Sequence, residues 1–307
     1  MRPQQIKLLT IAAAAAATML TAGCEAKVYG APPPNRIALT VVPVVTSLEI
    51  QEAPAVADPA AVLTGLEARE LSATTDAATA GASISAAVLD RDTGQLIGTG
   101  NNAPMPIASV AKLFIADDLL LQEAKGQTEL TAADRQALDT MLRSSDDSAA
   151  ETFWNRSGGN SVITRVAARY GLTGTSAPYD GKWWNTMSTV TDLVHYYDLL
   201  LGGGGGLPPE RASIILSNLA ASTPSGSDGY PQRFGIPDGL YGEPVAVKQG
   251  WMPDWNGNSW MHMSTGVIGA DRRYVMAIGS LQPTDDATAR ATITGAVKTM
   301  FPSGRIS

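Results

Sequence analysis

An intrachain disulfide is excluded at once, because Cys24 is the only cysteine in 307 residues. Stability has to come from packing, and a chain of this length can bury one large core or two smaller ones. Histidine is nearly as scarce. With two of them, His195 and His262, and one cysteine, there is no metal-site constellation, and neither a metal nor an organic cofactor is expected. Positive charge is in deficit: the formal net charge is −7 and no basic cluster offsets it, which excludes a nucleic-acid partner. Residues 8–20 are apolar, but the run is too short to span a bilayer.

What is present at the N-terminus is a processing signal. Arg2 and Lys7 precede the apolar run, and Thr21-Ala22-Gly23-Cys24 supplies a small-residue cleavage site. Leu20-Thr21-Ala22-Gly23-Cys24 resembles a bacterial lipobox, in which the cysteine becomes the acylated first residue of the mature chain. That resemblance implies loss of residues 1–23 as a lipoprotein signal peptide. It also implies an extracytoplasmic protein held to the cell membrane by acyl chains on Cys24. The alternative is an ordinary secretory signal with an incidental cysteine. Removing Arg2 and Lys7 takes the net charge from −7 to −9. Residues 24–59 read as a Pro-rich tether, with Ala31-Pro32-Pro33-Pro34 followed by Pro43, Pro54 and Pro59.

The domain is expected over 60–307. A helix over 60–78 carries Val62, Leu63, Leu66 and Leu71 as an apolar stripe. Residues 83–90 and 95–100 form a hairpin around Asp92-Thr93-Gly94. Helices follow over 109–120, from Thr131 (with Asp134 as a capping box) to 142, and over 149–156, 162–170, 189–201 and 209–220. Strands return at 245–251, 260–268 and 274–281, separated by hairpin signals, before a last helix over 284–300. The order predicts an α/β (α+β) fold. In it, an antiparallel sheet of about five strands drawn from both chain ends is flanked by helices, with an all-helical lobe inserted at about 106–242.

The chemistry centres on Ser109-Val110-Ala111-Lys112, the chain's one Ser-x-x-Lys. At helical spacing the hydroxyl and the amine share a face, and a lysine whose charge is disfavoured by its surroundings can take the serine proton. Ser145-Asp146-Asp147 interrupts the helical middle, and Lys248-Gln249-Gly250 ends a strand. In order and flanking texture these three segments resemble the serine β-lactamase and penicillin-binding superfamily, class A β-lactamases in particular, which carry Ser-x-x-Lys, Ser-Asp-Asn and Lys-Thr/Ser-Gly. The resemblance covers about 60–300. It implies Ser109 as nucleophile, Lys112 as proton acceptor, Ser145 as proton relay and Lys248 as a group that binds or polarises that region. The backbone N–H groups of Ser109 and Trp251 would be the oxyanion donors.

Three departures set the chain apart. Asp147 stands where the family has asparagine; it can only accept, and it should hold Lys112 protonated. Gln249 replaces the Thr/Ser hydroxyl that helps bind a substrate carboxylate, beside an intact Gly250. No glutamate lies between Glu151 and Glu210 to activate a deacylating water, and Asp180 is the only nearby substitute. These departures point to an envelope lipoprotein with weak or no β-lactam hydrolysis, binding peptidoglycan or an envelope partner. The alternative is an active serine acyl-transfer enzyme, a β-lactamase or a D,D-peptidase. Elsewhere, Trp183, Trp184, Trp251, Trp255 and Trp260 are expected mainly in the core, with a cleft wall as the other reading. His262 is expected to be structural. Asp117, Asp118 and Arg143 are expected as exposed helix charges, and the glycines at 202–206 as a flexible loop.

Overall fold

Two strands rich in methionine and β-branched residues, over 259–268 and 274–282, lie inside the main sheet. The computed structural model describes residues 63–306. Its five-stranded antiparallel sheet has the order β2-β1-β7-β6-β5, from β1 (Ser83–Asp90), β2 (Gln95–Gly98), β5 (Val245–Trp255), β6 (Ser259–Ile268) and β7 (Tyr274–Gln282). Strands from both chain ends therefore meet in one sheet, β1 pairing with β7 from Ser83↔Leu281 to Asp90↔Tyr274. A short two-stranded ladder joins β3 (Met105–Pro106) to β4 (Met187–Ser188).

The two-residue period sorts the central strands between two cores. Val275 and Ala277 of β7, with Met261, Met263 and Val267 of β6, face the larger core. Tyr274, Met276 and Ile278 face the smaller one, against α1 (Leu66–Thr79) and the C-terminal α9 (Asp286–Met300). The larger core belongs to the helices inserted between β2 and β5: α2 (Ala111–Ala124), α3 (Ala132–Arg143), α4 (Asp147–Arg156), α5 (Ser161–Tyr170), α6 (Val190–Gly202) and α7 (Pro209–Ala220). A one-turn helix, α8 (Ile236–Gly239), packs with α9. The Thr131 capping box is present, with Thr131 Oγ1 accepting from the Asp134 N–H at 3.1 Å and Asp134 Oδ2 accepting from the Thr131 N–H at 3.0 Å.

Several expectations need correcting. Leu71 is 70% exposed, so the α1 stripe is carried by Leu66, Ala73 and Ala77 instead, while Val62 lies outside the described residues. Asp117 and Asp118 are not exposed charges. Both are buried, Asp117 ion-paired to Arg169 and bonded by the Tyr170 and Tyr196 hydroxyls, and Asp118 ion-paired to Arg165 at 2.6 Å. Arg143 is half-buried and donates from Nε to Asn218 Oδ1 at 2.5 Å, tying α3 to α7. The glycine run is packed rather than loose: a Cβ on Gly205 would lie 2.0 Å from the Tyr170 ring, and Gly205 O accepts from Arg169 at 2.6 Å. Cys24 and the 24–59 tether lie outside the described residues.

Glu70, on the buried side of α1, has no hydrogen-bond partner among the described residues at either carboxylate oxygen, and burial raises its pKa from 4.5 to about 7. The folded chain then keeps this proton to higher pH than the unfolded chain does. Stability should therefore be full below pH 4.5 and fall as pH rises through 7, by on the order of 2 kcal/mol after allowance for partial solvent screening. Denaturant midpoints of wild type and Glu70→Gln across pH 5–8 check this, the glutamine variant showing the flatter profile.

Candidate active site

The site is assembled where the inserted helices meet the edge strand β5. Ser109 lies not in the first turn of α2 but in a 3-10 turn, Ala108–Val110, that leads into it. Ala108 has a left-handed backbone (φ 44°), a strained conformation for alanine that the fold maintains immediately before the serine. Gly250 explains how β5 passes so close: a Cβ there would sit 2.4 Å from Ile107 O and 3.3 Å from Ser109 N. This approach sets the β5 backbone at Gly250-Trp251 alongside the Ser109 turn.

Lys112 Nζ lies 2.9 Å from Ser109 Oγ, with the whole lysine side chain buried. It also donates to Ser145 O at 2.5 Å, Ser145 Oγ at 3.2 Å and Asp147 Oδ1 at 2.6 Å. A positive φ of 58° at Ser145 turns both its carbonyl and its hydroxyl towards this amine. Lys248 Nζ reaches the same hydroxyl at 2.8 Å, so Ser145 Oγ bridges the two lysines. Asp146 caps α4 by accepting from the Ala149 N–H at 2.8 Å, which leaves Asp147 in the first turn with its side chain 73% exposed towards the cleft.

The electrostatics modify the simplest reading of Asp147. Burial pushes the Lys112 amine below its usual range, while Asp147, Asp146 and Asp228 pull the other way; the net direction is down. Asp147 thus opposes deprotonation without reversing the effect of burial. Lys248 is pushed down further, by burial and then by Lys112, and it forms no salt bridge among the described residues.

A cavity of about 270 Å³ opens over Ser109, walled by Asp147, Trp183, Trp184, Asp228 and Trp251. The tryptophans serve both expected uses: Trp183 is buried and also lines the cavity, Trp184 and Trp251 are half-buried cleft walls, and Trp255 packs half-buried against the larger core. Trp251 stacks on Tyr230 at 4.4 Å and 9°, and the Tyr230 hydroxyl bonds His262 Nε2 at 2.7 Å and donates to Asp286. Burial lowers the pKa of His262 to about 4, so it braces this stack as a neutral ring.

Gln249 is not where a substrate-binding group is expected. It is buried, and its Nε2 donates to Gln232 O at 3.0 Å and Phe234 O at 2.6 Å, so the side chain fastens the 232–234 segment instead of facing the cleft. Asp180 is occupied within its own loop, accepting from Lys182 N at 3.1 Å and Asn185 Nδ2 at 2.8 Å, and does not line the cavity. Asp228 is the cleft residue that sequence reasoning missed. It sits in a Gly- and Pro-rich loop where no periodicity or motif marks an aspartate as facing inward.

No family model matches the chain. The lipoproteins LppW of Mycobacterium bovis and Mycobacterium tuberculosis are each 56% identical to it over 317 residues, covering 100% of both chains. Among solved structures, a β-lactamase from Chitinophaga pinensis superposes with a TM-score of 0.62 at 16% identity, over 78% of this chain and 100% of that one. A β-lactamase from Xanthomonas campestris gives 0.61 at 18% identity, over 78% and 97%. The fold is thus that of a β-lactamase, and the chain belongs to the LppW family of lipoproteins.

Proposed function

We propose that this lipoprotein is anchored at the outer face of the cell membrane through acylated Cys24. There it presents a β-lactamase-like domain that binds a peptidoglycan or other envelope ligand in the Ser109 cleft, with little or no hydrolytic turnover. The carrying observation is the ion pair of Lys112 Nζ with Asp147 Oδ1 at 2.6 Å, on the amine that is 2.9 Å from the nucleophile. A base engaged with a carboxylate takes the serine proton less readily. Two features extend the reading. Gln249 faces away from the cleft while Asp147 and Asp228 line it, so a ligand with a positive or neutral group there fits better than one with a carboxylate. Among the described residues no glutamate lines the cavity over Ser109, so an acyl-serine, once formed, lacks the base that activates water in class A enzymes.

A second reading, an active acyl-transfer enzyme, is favoured by the Ser109–Lys112 contact and by the downward displacement of both lysines. In it Ser109 Oγ attacks the substrate carbonyl as Lys112 takes its proton. The backbone N–H groups of Ser109 and Trp251 hold the oxyanion, and Ser145 passes a proton towards the leaving nitrogen. Incubation with a labelled penicillin, followed by intact-mass measurement, separates the two. Slow, sub-stoichiometric adduct formation is expected. Rapid stoichiometric acylation that Ser109→Ala abolishes would overturn the first reading.

A further inference from the structure

Away from the Ser109 cleft, a cavity of about 590 Å³ opens between the C-terminal end of α2 and the α4–α5 corner. In a chain of net charge −7 it gathers Lys125, Arg156, Arg165 and Arg169 around one carboxylate, Asp118. That carboxylate is already used. Its Oδ1 accepts from Arg165 Nε at 2.8 Å, and its Oδ2 accepts from Arg165 Nη2 at 2.6 Å and from Gln122 Nε2 at 2.5 Å. Asp117, which pairs with Arg169, is fully buried behind the wall.

The cations have donors to spare. Arg156 spends only Nη2, on Asp134 at 2.5 Å, and Lys125 makes no salt bridge among the described residues. Arg165 keeps Nη1 after its bidentate bond to Asp118 and the bond from Nη2 to Ser157 O at 2.7 Å. Two buried donors are also unmatched. Among the described residues the Ser157 hydroxyl has no hydrogen-bond partner although the residue is only 6% exposed, and Arg169 Nε has none either. Buried polar groups without partners are uncommon and costly. Both atoms belong to residues that line the cavity but are themselves closed to solvent, so an acceptor there reaches them only as neighbouring side chains give way.

The geometry points to a binding site for a phosphoryl group, whose several oxygens match a ring of guanidinium forks, one ammonium and one buried hydroxyl. The group belongs either to a soluble phosphate ester or to an anionic lipid headgroup. Asp117 and Asp118 act from behind as positioning residues, holding Arg169 and Arg165 at the wall. This site stands apart from the Ser109 cleft and does not depend on its chemistry.

The test uses the full chain in non-ionic detergent, titrated by calorimetry with glycerol 1-phosphate against chloride at matched ionic strength. In parallel, its binding to phosphatidylglycerol vesicles is compared with binding to phosphatidylcholine vesicles. Saturable binding in either arm is expected, weakened about tenfold or more in Lys125→Gln and Arg156→Gln and also in Ser157→Ala, which removes no charge. Binding of the free ester identifies a soluble ligand, and binding to phosphatidylglycerol vesicles alone identifies a headgroup. Lys125 is exposed, so its variant tests the site even if Arg156→Gln, which loses the Asp134 pair, folds poorly. No saturable binding in either arm above the chloride or phosphatidylcholine control would overturn the inference, as would binding that the three variants leave unchanged.

Discussion

Asp147→Asn is expected to raise the rate at which Ser109 acquires an acyl group from labelled penicillin by about tenfold or more. The carboxylate is the strongest influence holding the Lys112 proton in place against burial, through both its charge and the 2.6 Å hydrogen bond. Asparagine keeps a side-chain oxygen for that contact and removes the charge. It also gives the cleft a donor, which a substrate carbonyl can use. The pH dependence adds a second signature. Because Asp147 raises the Lys112 pKa against burial, its removal should move the inflection of acylation rate to lower pH. An unchanged rate and an unchanged inflection would mean that Asp147 does not hold the Lys112 proton in place, and would count against the proposed attenuation.

Arg169→Met is expected to lower stability by about 3–5 kcal/mol, a Tm drop on the order of 10 °C for a domain of this size. Among the described residues Arg169 is the only cation bonded to Asp117, which sits 0% exposed between the Tyr170 and Tyr196 hydroxyls. The tyrosine hydroxyls remain in the variant, but the charge stays buried without its counter-ion. Burial already raises the Asp117 pKa, and without the arginine it rises further, so the folded variant takes up a proton at higher pH than the unfolded chain does. The deficit should therefore shrink as pH falls, and Asp117→Leu/Arg169→Met should recover much of the loss. A deficit independent of pH, or no recovery in the double variant, would show that Arg169 matters through packing on Tyr170 and Gly205 instead.

The strands were legible because their turns are marked: Asp92-Thr93-Gly94 and Asn256-Gly257 bound runs that pair in antiparallel register, with an irregularity between Met252 and Trp255 beside the second turn. Ser109, Lys112, Ser145 and Lys248 were legible through motif order, and the structure brings their side chains into one hydrogen-bonded cluster. Facing was the harder question. Gln249 follows Lys248 on a strand, so it points to the opposite side, and its partners are carbonyls at 232 and 234 that no local signal connects to it. Asp117 and Asp118 read as exposed charges because composition cannot reveal that Arg165 and Arg169, about fifty residues later, return to meet them. The same limit hid Asp228, which reaches the cleft from a loop without periodicity. Tertiary pairing of charges is a property of topology, and it becomes readable only once the helices are placed.

Nitrocefin turnover by the purified protein tests the account most directly, with Ser109→Ala as the control. The Asp147–Lys112 ion pair and a cavity without a glutamate predict hydrolysis no faster than the control. Multiple turnovers above the Ser109→Ala rate would contradict it, and would make this domain a working β-lactamase.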